Sequence, residues 1–236
     1  MENLQRANEF HVALLAMAGH DLRQPLQVLI GTYDRLARCC DDALTRKYIE
    51  RGQVAVGQLI EQLDHLVGAL RLHERTAQIE AAPLELGPLL SALERDQREF
   101  AEQKEVTLHV VRSTVAVISD EVLLESVLRN LVRNAVKYTQ PHGRVLVGCR
   151  RQGAELRIEV HDTGVGMPRD KLAGLFQAFY RVDPGRPDGL GLGLFVVKRA
   201  ADLLGHRVEV FSSLGHGSCF AVIAPAAQAG APIRAA

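Results

Sequence analysis

Apolar positions in the first third of the chain recur in steps of three and four. Leu4, Ala7, Leu14, Ala18, Leu22, Leu26, Leu29, Tyr33 and Leu36 form one stripe, with a double step across His11. The polar run Cys39-Cys40-Asp41-Asp42 interrupts it, and a second stripe follows at Tyr48, Val56, Leu59, Leu63, Leu66 and Leu70. Helix breakers are nearly absent from Glu2 to Leu72, so the pattern predicts two long helices lying antiparallel as a hairpin. At about 1.5 Å per residue each helix would run roughly 45–55 Å. A lone hairpin of that length leaves its apolar stripe half covered. Pairing with a second copy in a four-helix bundle covers it, so a homodimer is expected.

From about Ala77 the texture changes. Pro83, Gly87 and Pro88 punctuate the start, and helical patterns occupy Leu89 to Phe100, Glu121 to Tyr138 and Leu192 to Leu204. Between them run alternating or β-branched stretches: Val106 to Val111, Val115 to Ser119, Val145 to Cys149, Leu156 to Val160, Val208 to Phe211 and Cys219 to Ile223. Strands mixed with helices predict an α+β domain with helices on one face of a sheet. The expected organisation is a helical hairpin over 1–75, an α+β domain over 76–225 and an Ala-rich flexible tail or linker over 226–236.

Composition narrows the functional classes. Lys+Arg and Asp+Glu both number 28 in 236 residues, so the overall basic footprint of a nucleic-acid binder is missing. The four cysteines include no CxxC, which argues against a disulfide framework or a zinc finger and fits a reducing, cytoplasmic compartment. No apolar run reaches the ~18 residues of a membrane span, and MENLQRANEF does not read as a signal peptide. Trp is absent, so the core rests on Leu, Val, Ile and Ala.

Five segments carry candidate chemistry. On the helix from Glu121 to Tyr138, Leu124, Leu128, Leu131, Val132 and Ala135 share one side, while Asn130, Asn134 and Lys137 share another. Amide oxygens can ligate Mg²⁺ and a lysine can meet a phosphate. His161-Asp162-Thr163-Gly164-Val165-Gly166 puts a carboxylate at a strand end, followed by glycines that let a backbone approach closely. In PGRPDGLGLGL, Gly189, Gly191 and Gly193 alternate just before a helix, whose N-terminus favours anions. The loop SSLGHGSCF holds Gly215 and Gly217 between two strands. Finally, His20 lies two residues from both Ala18 and Leu22 and so projects roughly opposite the buried stripe, with Gln24 and Gln27 on its face. The adjacent Asp21 can hydrogen-bond one ring nitrogen and leave the other nucleophilic, and Pro25 can bend the helix. Taken singly, these also read as a solvated helix face, a strand-to-helix turn, a Gly-rich loop, a hairpin and a surface histidine.

In this order the pieces resemble the catalytic core of a two-component sensor histidine kinase, over about Glu2 to Ala224. His20-Asp21-Leu22-Arg23-Gln24-Pro25-Leu26 is similar to the family's H box, and Asn130 to Thr139 (NLVRNAVKYT) to its N box. Asp162 to Gly166, Gly189 to Leu194 and Gly215 to Ser218 match its three glycine boxes, and Phe176 to Arg181 its F box. The resemblance implies a dimeric four-helix bundle followed by a Bergerat-type (GHKL) α/β sandwich, with ATP and Mg²⁺ as cofactors. It implies that Asn134 ligates Mg²⁺ with Asn130 in support, that Lys137 contacts phosphate, and that Tyr138 lines the pocket. Asp162 would accept from the adenine amino group between Gly164 and Gly166. Gly189, Gly191 and Gly193 would hinge a lid, with Leu194, Gly217 and Ser218 also at the nucleotide and Arg181 at the γ-phosphate. His20 would be the nucleophile, with Asp21 holding its tautomer, and the phosphoryl group would pass to an aspartate of a response-regulator receiver domain.

Two departures from the family stand out. Gln24 occupies a position where Thr or Asn is commonest, and the segment between Arg181 and Gly189 is short. Hydrolases that share this fold generally place a water-activating glutamate where this chain has Asn130, which favours the kinase reading over an ATPase one. The chain is also expected to belong to a longer, membrane-associated or hybrid kinase.

Overall fold

The computed structural model describes residues 26–33, 35–39, 42, 44–49, 51–52, 55–57, 59, 79–183 and 191–227. The chain divides into two units, Met1–Ala77 with Asp183–Leu192, and Gln78–Val182 with Gly193–Ala236.

In the first unit the described residues are helical at 26–33, 35–39, 44–49, 51–52, 55–57 and 59, on either side of the polar break read from the sequence. Asp42 stands outside the helical runs. Its Oδ2 accepts from Thr45 N at 2.8 Å and from Thr45 Oγ1 at 2.6 Å, and its carbonyl accepts from Arg46 N at 3.0 Å, the arrangement of an N-cap. A Cβ added to Gly52 would lie 2.5 Å from the Tyr33 ring, so the two runs come close there. Ile49 and Val56 are buried, whereas Val28, Leu29, Leu36, Leu44, Tyr48 and Leu59 are exposed. His20, Asp21 and Gln24, the stretch 60–78 and most of the tail lie outside the described residues.

The second unit runs β1 (Ala82–Glu85), α1 (Leu86–Gln103), β2 (Thr107–Val110), β3 (Ala116–Ser119), α2 (Glu121–Tyr138), β4 (Arg144–Gln152), β5 (Glu155–Asp162), α3 (Gly193–Leu203), β6 (Arg207–Ser212) and β7 (Ser218–Pro225). A short 3-10 helix, Arg169–Gly174, lies between β5 and α3. Five strands form one sheet in the order β2-β4-β5-β7-β6. The β2–β4 pair is parallel and the others are antiparallel. β1 and β3 form a separate antiparallel ribbon, tied to the chain after β7 by a bridge between Val117 and Ala226.

The register sorts side chains by face. Leu156, Ile158 and Val160 of β5 stand opposite Ala224, Val222 and Phe220 of β7, and Val147 of β4 opposite Val160. All of these are buried, and they form the face covered by the helices. Each of the Val, Leu, Ile and Phe side chains among them contributes about 1.5–3 kcal/mol by leaving water. α1 buries Leu86, Leu89, Leu90, Leu93, Gln97 and Ala101, and α2 buries Leu123, Leu124, Val127, Leu128, Leu131, Val132, Ala135 and Val136. Both sets follow helical spacing. The five α2 positions assigned to an apolar side from sequence are all among them.

Element ends depart from the sequence reading for identifiable reasons. α1 begins at Leu86 rather than Leu89 because Gly87 and Pro88 occupy its first turn, where the N–H that proline lacks has no helical partner to lose. β1 was not anticipated. It is four residues long and contains Pro83, tolerable only in a short two-stranded ribbon. β4 and β5 extend past the apolar runs into polar ends because a tight turn with Gly153 at φ +64° keeps them paired out to Gln152 and Glu155.

Candidate functional site

α2 is held at both ends. At its start Asp120 Oδ1 accepts from Leu123 N at 3.0 Å, while Oδ2 accepts from Glu80 N at 3.2 Å. At its end Thr139 Oγ1 donates to Ala135 O at 2.7 Å. Lys104, just beyond α1, brings its ammonium onto the last carbonyls of α2: Val136 O at 3.3 Å, Thr139 O at 3.3 Å, and Lys137 O more closely still. A cation there complements the negative end of the helix dipole. With the apolar face of α2 locked into the core, Asn130, Asn134 and Lys137 are left half-buried on its polar side. Asn130 Nδ2 donates back to Ser126 O at 2.8 Å, which leaves the amide oxygen as the outward atom. Tyr138 ends the helix half-exposed, with Lys137 Nζ 5.9 Å from its ring centre.

Asp162, the last residue of β5, is fixed as firmly. Its Oδ1 accepts from Gly164 N at 2.8 Å and Ser218 N at 3.2 Å. Oδ2 accepts from none of the described residues and is available to a ligand. Burial pushes the carboxyl above its usual range, although the two backbone N–H groups pull the other way.

Three loops meet around this carboxylate. Val165 N donates to Tyr138 O at 3.2 Å, Gly215 N to Val165 O at 2.8 Å, and Met167 N to Ser212 Oγ at 2.8 Å. Ser212 Oγ in turn donates to Gly217 O at 3.0 Å. The glycines are demanded by these loop-to-loop approaches. A Cβ on Gly166, at φ +62°, would stand 1.9 Å from Ser213 O, and one on Gly217, at φ +78°, 2.0 Å from Asp162 O. Gly164 leaves room for Tyr138 O, which a Cβ would meet at 2.5 Å. The structure therefore brings Asn130, Asn134, Lys137 and Tyr138 of α2 into one unit with Asp162, Gly164, Gly166, Gly217 and Ser218, and links Tyr138 to the Asp162 loop by a backbone bond.

Arg181 also belongs to this unit. Its Nη2 is buried with no hydrogen-bond partner among the described residues, so the group is suited to an anion. Gly193 opens α3, with Leu194 half-buried beside it. Gly191 precedes it at φ +70°. Gly189 and the residues expected from the sequence to be catalytic, His20, Asp21 and Gln24, lie outside the described residues. Sequence reasoning missed Lys104 and Ser212. Lys104 lies in no recognisable motif and Ser212 only opens the SSLGHGSCF loop, and each acts through a contact distant in sequence, with Met167 N donating to Ser212 Oγ 45 residues away.

An adenine nucleotide fits this donor set. One carboxylate oxygen is left for an exocyclic amine, amide and lysine groups lie along a single helix, and a buried guanidinium nitrogen has no partner. The amide oxygens of Asn130 and Asn134 are the hard ligands Mg²⁺ prefers.

Comparison with known proteins assigns the class. Residues 119–228 match the family of histidine kinase-, DNA gyrase B- and HSP90-like ATPases. The chain is 34% identical to the sensor histidine kinase AtsR of Burkholderia thailandensis over 90% of its length, covering 37% of that protein. It is 31% identical to the aerobic respiration control sensor protein ArcB of Escherichia coli over 92% of its length, covering 29% of that protein. Among solved structures, full-length ShkA in complex with AMPPNP superposes with a TM-score of 0.67 at 31% identity, covering 94% of this chain and 47% of that one. Residues 119–228 form a GHKL-type ATPase domain, and over most of its length the chain is similar to the catalytic cores of sensor histidine kinases. It spans about a third of the length of the curated relatives it matches.

Proposed function

We propose that this chain transfers the γ-phosphoryl group of ATP to His20 and passes it on to an aspartate of a response-regulator receiver domain. The observation that carries the nucleotide half is Asp162, with one oxygen saturated by backbone N–H groups and the other open. A carboxylate so held accepts from the amino group of adenine and repels the carbonyl that guanine presents there. Asn134, supported by Asn130, holds Mg²⁺, which neutralises phosphate charge when bound. Lys137 and Arg181 bind phosphate oxygens, and Tyr138 closes one side of the pocket. Gly189, Gly191 and Gly193 give the preceding loop the freedom to fold over the phosphates, and Leu194 packs at its base.

Phosphoryl transfer asks for positioning and charge neutralisation more than for covalent help. A nitrogen of the His20 imidazole forms the new bond to phosphorus as the bond to the bridging oxygen of ADP breaks. Asp21 accepts a hydrogen bond from the other ring nitrogen and helps remove the proton. By sequence spacing Gln24 falls on the same helix face, at the position from which the family's usual Thr or Asn aids dephosphorylation of the partner's phosphoaspartate by water. The apolar side chains left exposed on the first unit support dimerisation through a four-helix bundle. No helix among the described residues is long and apolar enough to cross a membrane, and we assign the core to the cytoplasm.

Incubation with γ-labelled ATP and Mg²⁺ tests the reading. Label should appear on the protein in acid-labile, base-stable form and fall to background in His20→Gln. Label retained in that variant would overturn the assignment of His20.

A further inference from the structure

The face of the sheet turned away from α2 and α3 carries a second constellation that nucleotide chemistry does not use. Glu159 and His161 are two apart on β5 and so share a face, and His161 stands directly opposite Cys219 of β7. His161 Nε2 lies 3.2 Å from Glu159 Oε2 and 3.6 Å from Cys219 Sγ. All three potential ligand atoms fall within 4.8 Å of one another. We propose that Glu159, His161 and Cys219 form a binding site for a borderline-soft divalent transition metal ion, Zn²⁺ being the best fit.

The spacing supports this. With bonds of about 2.0–2.1 Å to nitrogen and oxygen and about 2.3 Å to sulfur, a tetrahedral zinc ion holds its ligand atoms roughly 3.3–3.6 Å apart. The His161–Cys219 distance of 3.6 Å matches such an edge and the His161–Glu159 distance of 3.2 Å is slightly shorter than one, while the carboxylate-to-sulfur edge, within 4.8 Å, closes by a side-chain adjustment on binding. The carboxylate is already oriented for one-oxygen ligation. Its Oε1 accepts from Arg157 Nε at 2.5 Å and from Arg150 Nη2 at 3.0 Å, which turns Oε2 toward the histidine. Arg157 also donates to Glu209 at 2.6 Å, so its charge has a second carboxylate. A metal ion replaces the thiol proton, which leaves to solvent. His161 is half-exposed, so a fourth position stays open to water. The mixed nitrogen, sulfur and oxygen set discriminates against Mg²⁺, so the ion would not compete with the one that accompanies ATP. His161 and Cys219 directly adjoin Asp162 and Ser218, and an ion bound here would pin the two strand ends that fix the adenine carboxylate.

Titration of the full chain with Co²⁺, followed by displacement with Zn²⁺, tests the site. One equivalent should bind with a thiolate-to-metal charge-transfer band. Cys219→Ser should abolish the band, and His161→Asn should weaken binding by at least about tenfold. Cys149→Ser and the paired Cys39→Ser/Cys40→Ser change should leave it intact. Far-UV circular dichroism checks that each variant is folded, and His161→Asn, altering a half-exposed side chain, keeps the test open if Cys219→Ser is not. Absence of the band in folded wild-type protein, or unchanged binding in His161→Asn, would overturn the proposal.

Discussion

The two faces of the five-stranded sheet are built from the same strands by opposite means. On the helix-covered face, Val145, Val147, Leu156, Ile158, Val160 and Val222 are each at most 1% exposed. On the other, the intervening positions of β4, β5 and β6 hold Arg150, Arg157, Glu159, His161, Glu209 and Phe211. Arg157 sits among these, 8% exposed, paired to Glu159 and Glu209 with its guanidinium 5.6 Å from the Phe211 ring centre. One face draws its stability from apolar area and admits a carboxylate only at the end of β5, where backbone N–H groups hold Asp162. The other supports a network whose members satisfy one another. The period of two in a strand lets a single segment such as LRIEVHD serve both.

The contrast can be broken in order of expected effect. Leu128→Ala on α2 removes a fully buried side chain and should cost about 2–5 kcal/mol in denaturant unfolding, whereas Leu146→Ala, 42% exposed on the opposite face, should cost less than about 1 kcal/mol. Equal losses would mean that the second face is as closed as the first. Arg157→Ala should cost about 1–3 kcal/mol by stripping Glu159 and Glu209 of their partner, and Arg157→Met should recover part of that by keeping the packing on Phe211.

Acid titration separates two groups by window. His206 is 5% exposed, with Nε2 3.0 Å from Ser119 Oγ and Nδ1 unpartnered, and burial takes it from 6.5 down to about 4. The unfolded chain therefore binds the extra proton, so stability should fall as pH drops from about 6.5 to about 4 and then level off. For Glu159, burial alone would raise the carboxyl, but hydrogen bonds from Arg157, His161 and Arg150 outweigh it and bring it from 4.5 to about 2. Its contribution is present above about 4.5 and is lost as pH falls toward about 2. In His206→Asn the upper part of the loss should vanish and the lower part remain. A single unchanged transition would refute the separation.

Most of the sheet and helix content was legible because periodicity is local. The α2 stripe, the polar side bearing Asn130 and Asn134, and the strand runs around Ile158 and Val222 all follow from spacing alone. β1 was not legible, since APLE has too few residues and a proline. The glycines read from sequence either as turn residues or as places where a ligand comes near; the demands of Ser213 O on Gly166 and of Asp162 O on Gly217 come from neighbours that only the fold supplies. For the same reason Lys104 was invisible as a helix cap: its carbonyl partners lie more than 30 residues away. The charged network was hidden in plain alternation, because Arg157 and Glu159 look like solvent-facing residues until β6 brings Glu209 and Phe211 beside them.

The path of the chain between β5 and α3 has a further consequence. The described residues between β5 and α3, 163–183 and 191–192, contribute no strand to either sheet. Beyond the Gly164–Met167 contacts, residues can be gained or lost within that excursion without shifting any strand register, and the entropy cost of each doubling of a loop is small. Turnover could thus be retuned across descendants by indels in one stretch while the scaffold beneath stays constant.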